Sequence, residues 1–362
     1  NSFIYLYGNM DMEEKLEFLD SHYLSAFDSL VIDSEIRDQE AFAQVKDIQK
    51  SYPVSEDEGE EDNTYLSYNM VVGEAADINL SLAFEVLDYA LLSAPGAPLK
   101  QALLDAKIGK DIYGSFEDGI KQTYFSIVAK GANLSQKEEF VKVIRDTLTK
   151  IMEEGIDKKA VTAGINYYEF RFREADFSSY PKGLMYGLDI LSSWLYDDTK
   201  PFCEVQLLEG FEFLKKALEE GYFEDLIRKY LLDNTHGAIL SLVPEKGLAA
   251  KRDKELEEKL ENYKKSLSDE ELTRMVENTK ALEAYQESEE DPEALTCIPM
   301  LSREDIKKEI TGLTNEEHYV DDSLFLYHDV CTNGIGYVNI MFEIKDMAVE
   351  KVHYLGLLKS VL

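Results

Sequence analysis

The stretch Thr64-Tyr65-Leu66-Ser67-Tyr68-Asn69-Met70-Val71-Val72 decides how this chain is read. Leu66, Tyr68, Met70 and Val72 alternate with Tyr65, Ser67, Asn69 and Val71, and successive side chains of a strand point to opposite faces, so a strand buried on one side is predicted. A helix follows through Leu80, Leu82, Ala83, Val86, Leu87 and Ala90 and stops before Pro95 and Gly96. Pro98 suits the first turn of the next helix, to Ala106, because the N–H it lacks would have no intrahelical partner there. Residues 111–130 read as a hairpin: a strand to Phe116, a turn at Glu117, Asp118 and Gly119, and a return through Tyr124, Phe125, Ile127 and Val128. Helical periodicity then dominates 136–232, and a last strand covers 238–242. Strands separated by helices that must cover one sheet face make an α+β domain over 63–245, an antiparallel sheet covered by helices.

Outward from that domain the pattern changes. Residues 3–7 read as a strand and the segment from Asp11 to Phe27 as a helix, giving a tail over 1–30 that belongs to a preceding domain. The acidic run Glu56, Asp57, Glu58, Glu60, Glu61 and Asp62 marks 31–62 as a linker. Beyond the domain, Leu256, Leu260, Tyr263 and Leu267, then Leu272, Met275, Val276, Thr279, Leu282 and Tyr285, recur at three- and four-residue steps among charges, so a helical hairpin is predicted over 246–290. Ser268 and Glu271 form the capping box that starts its second arm. After a connector, 291–320, strand-like runs at 324–330 and 335–344 joined by Thr332-Asn333-Gly334 lead into a helix from Val349, a partial ββα unit opening a further domain over 321–362. A chain that starts at Asn1 inside an apolar segment is expected to be a piece of a longer polypeptide.

The 362 residues carry a net charge of −34 with 44% hydrophobic residues, the composition of a soluble, well-packed globular chain. Such acidity repels phosphate backbones and anionic lipid, so nucleic acid and membranes are excluded as partners and cationic peptides are favoured. Cys203, Cys297 and Cys331 lie far apart, with no zinc-ribbon or redox spacing. His22, His236, His318, His328 and His353 include no H-E-x-x-H, H-x-x-E-H or H-x-H pair, so no two could bind a metal from one face of one helix. Nucleophile-elbow, phosphate-loop and dinucleotide signatures are absent as well. The densest polar cluster is Asn166, Glu169, Arg171, Arg173, Glu174, Asp176, Tyr180 and Lys182. Arg and Glu alternate so closely there that internal pairing is preferred to an active site.

Several motifs carry a resemblance. Ala94-Pro95-Gly96-Ala97-Pro98-Leu99, Gly109-Lys110-Asp111, Glu169-Phe170-Arg171, Glu174-Ala175-Asp176-Phe177, Tyr180-Pro181-Lys182-Gly183-Leu184 and Ser193-Trp194-Leu195-Tyr196 resemble the presequence protease branch of the pitrilysin and insulinase clan of zinc metallopeptidases. Pro244-Glu245-Lys246-Gly247-Leu248 and the hairpin behind it are similar to the segment joining the two halves of those enzymes. The resemblance implies a metallopeptidase-like second domain without the metal motif. It would be the non-catalytic part of a zinc-dependent oligopeptidase, forming a chamber wall and hinge that confine unfolded peptides, basic ones among them. Zinc and hydrolysis then belong elsewhere in the parent chain: no catalytic or metal-binding residue is assigned here, and the remaining parent domains are the partners. A bacterial cytoplasm or an organelle is the implied compartment. The alternative is a non-enzymatic structural or assembly subunit of the same fold. In related insulin-degrading enzymes a glycine-bounded strand in the second domain captures substrate by main-chain pairing. The stretch matching its position is Tyr113, Gly114, Ser115, Phe116, Glu117, Asp118 and Gly119, where the glycines would permit close backbone approach and positive φ.

Overall fold

The computed structural model describes residues 2–28, 30–298, 300–306, 308–309, 312 and 315–361. The connector reading falls partly outside them, at 299, 307, 310, 311, 313 and 314, as does the end of the closing helix at 362. The chain forms two compact units, Asn1–Thr311 and Gly312–Leu362.

In the first unit β1 (Lys46–Val54), β2 (Thr64–Glu74), β3 (Asp111–Glu117), β4 (Gln122–Ala132) and β5 (Gly237–Lys246) make one sheet in the order β1-β5-β2-β4-β3. Leu66, Tyr68, Met70 and Val72 on β2 are at most 1% exposed, so the predicted alternation is the observed one. The α+β class holds, with one correction to the sheet. Pairing is antiparallel between β2 and β4, β2 and β5, and β3 and β4, but β1 runs parallel to β5.

The same strand corrects the reading of 31–62 as a linker and of Asn63 as the start of the domain. The acidic run is the loop that carries the chain from β1 past β5 to β2. Its end is tied down, since the Asp62 N–H donates to Asn133 Oδ1 at 2.9 Å and Asn133 Nδ2 donates to Asp62 Oδ1 at 2.6 Å. β1 is an edge strand with mostly exposed or half-buried side chains, so no strict apolar alternation marks it in the sequence.

Helix α1 (Met12–His22) starts at Asp11, whose carboxylate accepts from the Glu14 N–H at 3.1 Å. The covering helices of the sheet domain are α2 (Ile78–Asp88), α3 (Pro98–Asp105), α4 (Lys137–Glu154), α5 (Lys158–Glu174), α6 (Lys182–Trp194), α7 (Leu208–Ala217) and α8 (Tyr222–Leu226). One core joins the β2 side chains to Phe84, Val86 and Leu87 of α2, Phe140 and Ile144 of α4, and Val161 and Ile165 of α5. Each such fully buried large side chain contributes roughly 1.5–3 kcal/mol. Tyr68, wholly enclosed, satisfies its hydroxyl by donating to the Leu231 carbonyl at 2.6 Å.

Residues 3–7 form no strand. Phe3 instead packs edge-on against Trp194, and Tyr5 and Tyr7 rest on Gly187 and Gly183 of α6. Four residues of helix advance about 6 Å and two residues of extended chain about 6.8 Å, so alternate aromatic rings meet glycines one turn apart. The apolar alternation is real, but it is matched to a helix groove rather than to a sheet.

After β5, Gly247 at φ +72° turns the chain into α9 (Leu248–Ser266), which α10 (Asp269–Glu287) follows. The expected capping box is present: the Glu271 N–H donates to Ser268 Oγ at 3.3 Å and the Ser268 N–H donates to the Glu271 carboxylate at 2.8 Å. The seam residues Leu260, Tyr263, Met275 and Val276 remain about half exposed. A short α11 (Pro292–Leu295) is capped by Asp291.

In the second unit β6 (Glu316–Val320) and β7 (Ser323–Tyr327) pair as a hairpin turning at Asp321 and Asp322, and α12 (Tyr354–Val361) closes it. The hairpin therefore lies one strand earlier than the sequence predicts, and the boundary drawn between 320 and 321 cuts through it. Residues 335–344 pair with nothing as a strand among the described residues, and Val338, Ile340 and Phe342 stay exposed. β-propensity reports suitability for a pleated surface and does not supply the partner that makes a strand.

Candidate functional site

The stretch from Tyr113 to Gly119 occupies β3, the end of the sheet opposite β1, and the turn that follows. β3 pairs with β4 on one side and has no strand on the other among the described residues. Ile112, Gly114 and Phe116 share the face toward α2: Ile112 is buried, and Phe116 stacks on Phe84 with centroids 5.8 Å apart. Tyr113, 42% exposed, and Glu117 face the other way.

The glycines do not serve the role expected of them. Neither Gly114 nor Gly119 has a positive φ. A Cβ on Gly114 would run into the Asp88 carboxylate and Leu92, so this glycine lets helix and strand approach each other rather than admitting a foreign backbone. The space about Gly119 is open.

Glu117 and Asp118 part company. Glu117 is exposed, whereas Asp118 lines a cavity of about 390 Å³ beneath the turn. Glu85 of α2, Arg171 and Glu174 of α5, Asp176, Asp189 of α6 and Glu204 also reach this cavity, among the rings of Tyr168, Phe172, Phe177 and Tyr186. Removal from water, reinforced by Asp118 and Glu204, pushes the Glu85 carboxyl up to about 8. Burial, then Asp118 and Asp189, push Glu204 up to about 7. Asp118 and Asp189 are raised as well, mainly by burial. Between α5 and α6 the chain turns through Ala175 at φ +46° and Ser178 at φ +56°, left-handed conformations that side chains other than glycine seldom adopt.

The polar cluster read from the sequence thus divides. Glu169 pairs internally, accepting from Arg173 at 2.8 Å and Lys215 at 2.7 Å, as expected. Arg171, Glu174 and Asp176 instead belong to the cavity. Glu85 was missed, although it carried a signal. It stands between Leu82-Ala83-Phe84 and Val86-Leu87, a carboxylate in the middle of an otherwise buried apolar helix.

A zinc ion does not fit the donor set. Among the described residues no group of three or more His, Cys, Asp or Glu side chains is arranged to hold a metal. His22 stacks on Phe18, His236 packs edge-on against Phe42, and His318, His328 and His353 belong to the second unit. No step of hydrolysis is therefore derived from these residues.

A sheet with an open β3 edge, covered by helices and lacking zinc donors, is what a peptidase-like domain without its metal would present. Residues 1–168 match the family described as Peptidase M16 inactive domain, and residues 242–362 match the family of segments associated with subfamily C of the same peptidases. The chain belongs to the presequence protease branch of these M16 zinc metallopeptidases. It is 43% identical over 362 residues to Protein HypA of Clostridium perfringens, covering all of this chain and 37% of that protein. It is 32% identical over 358 residues to Presequence protease 1, chloroplastic/mitochondrial, of Arabidopsis thaliana, covering 97% of this chain and 33% of that protein. The chain thus spans about a third of the length of these relatives. A solved protease from Helicobacter pylori superposes with a TM-score of 0.48 at 15% identity, over 66% of this chain and 53% of that one.

Proposed function

We propose that this chain is the non-catalytic part of a zinc-dependent oligopeptidase. It forms a chamber wall and hinge that confine and position unfolded peptides while a zinc site elsewhere in the parent chain hydrolyses them. The observation that carries the reading is the match to an inactive peptidase domain over residues 1–168, in a chain whose donors do not fit zinc. On this reading residues 1–30 are the tail of the catalytic domain, the α9–α10 hairpin links the two halves, and the second unit opens the third domain. The remaining domains of the parent are its partners. A bacterial cytoplasm or an organelle suits relatives that are bacterial, chloroplastic or mitochondrial. No described helix is long and apolar enough to cross a membrane.

The peptide-holding element is β3 with its turn, Tyr113 to Gly119. An unpaired strand edge offers its outward N–H and C=O groups to an extended peptide, which adds as a further strand without regard to sequence. Hydrogen exchange of the 111–117 amides, with and without an unfolded neutral peptide, tests this. Slower exchange confined to β3 is expected, and it should vanish when alternate peptide nitrogens are methylated. Unchanged exchange across β3 at saturating peptide would remove the edge as a binding element.

A further inference from the structure

The cavity beneath the β3–β4 turn suits a different kind of ligand from a strand edge. We propose that it binds the cationic end of a peptide side chain, a guanidinium or alkylammonium group, held between Glu85, Asp118, Asp189 and Glu204. This deepens the peptide-holding reading by naming a side-chain class, but the cavity stands on its own geometry.

Four elements each aim one carboxylate at this space: α2, the hairpin turn, α6 and the short turn Cys203–Val205. Glu85 is enclosed by protein on almost all sides and has neither a hydrogen-bond partner nor an ion pair among the described residues. The cation nearest to it, Arg171, turns aside: its Nη1 donates to the Tyr167 hydroxyl at 3.3 Å and its guanidinium lies 5.6 Å from that ring's centre. These four acids are therefore left without a counter-ion among the described residues. Tyr168, Phe172, Phe177 and Tyr186 complete the wall. Aromatic faces attract a cation and carboxylates pair with it, and together they suit a group that is charged at its tip and apolar along its stem. A volume of about 390 Å³ is ample for one such side chain.

The charge state follows from what faces the cavity. Among the described residues, Glu85, Asp118, Glu174, Asp176, Asp189 and Glu204 stand against the single lining cation Arg171, with the Tyr168 and Tyr186 hydroxyls beside them and Asp88 behind Tyr168. Crowded and desolvated, Glu85 and Glu204 hold protons near neutrality. An entering cation replaces those protons, so binding releases them and strengthens as pH rises from about 6 to about 9.

Calorimetric titration of the 362-residue chain with N-acetyl-arginine methylamide tests this, beside the neutral isostere N-acetyl-citrulline methylamide. We expect the arginine probe to bind at least about tenfold more tightly at pH 9, to lose most of that margin at pH 6, and to release protons measurable by changing the buffer. Glu85→Gln keeps the shape of the side chain and should weaken binding about tenfold. Glu204→Gln, on a turn outside the core, should do the same and serves if the first variant does not fold. Equal affinity for the two probes at pH 9, or unchanged affinity in a folded variant, overturns the proposal. Single-residue probes cannot add a strand to β3. Failure here with β3 protected by a neutral peptide therefore spares the peptide-holding reading, and success here without that protection removes it.

Discussion

Gly114 shows how one residue can be read correctly as special and wrongly as to why. Its absent side chain makes room for the Asp88 carboxylate and Leu92, so a larger residue overpacks the junction of α2 with β3. Gly114→Val is expected to destabilise the fold by about 1–3 kcal/mol, read as a lower urea midpoint. Equal stability would mean that helix and strand can part at no cost. Glu85 leads to a pH effect of definite sign. Its carboxyl lies at about 8 in the folded chain against an ordinary 4.5, so the folded state binds more protons than the unfolded one between those values. Stability from this group is complete below about 4.5 and is lost as pH rises through about 8, by at most on the order of 1.4 kcal/mol per unit. The melting temperature should therefore fall between pH 6 and pH 9, and Glu85→Gln should flatten that fall. A wild-type curve that rises with pH, or one the variant does not alter, would contradict it.

The hairpin of α9 and α10 was legible because both of its determinants are local. The three- and four-residue apolar steps set the helices, and the Ser268 and Glu271 pair fixes where the second one begins. Ser268→Ala removes the side-chain acceptor of the Glu271 N–H and should cost about 1 kcal/mol, seen as faster exchange of the first-turn amides of α10. Exchange no faster than in the parent sequence would show that the cap is dispensable. Strands were less legible. The β3–β4 hairpin and β2 were found within a residue or two, since each alternates against the core. β1 was not, because an exposed edge strand has no alternation to show. The 335–344 run has the composition of a strand but no partner among the described residues.

Across the chain as a whole, the net charge of −34 and the lack of a zinc-binding donor set among the described residues lead to two expectations. The purified chain should hold no stoichiometric zinc by elemental analysis and show no chelator-sensitive peptidase activity. One zinc per chain together with such activity would refute the non-catalytic assignment. A basic amphipathic peptide should bind more tightly than its neutral analogue, with a margin that shrinks as salt screens the attraction over about 8 Å at physiological strength. Equal affinities at low and high salt would show the acidity to be a surface property only.

Periodicity, caps and turn residues act over a few positions, and so the sequence alone was enough to give β2 its buried face, the hairpin its capped arm and the chain its family motifs. It could not give the insertion of β5 between β1 and β2, because that pairing joins residues some 170 to 190 positions apart. Nor could it assemble the cavity, whose carboxylates come from residues 85, 118, 189 and 204 and are neighbours only once α2, the β3–β4 turn and α6 have packed. Burial and mutual repulsion, which set the charge of those groups, exist only in the folded chain.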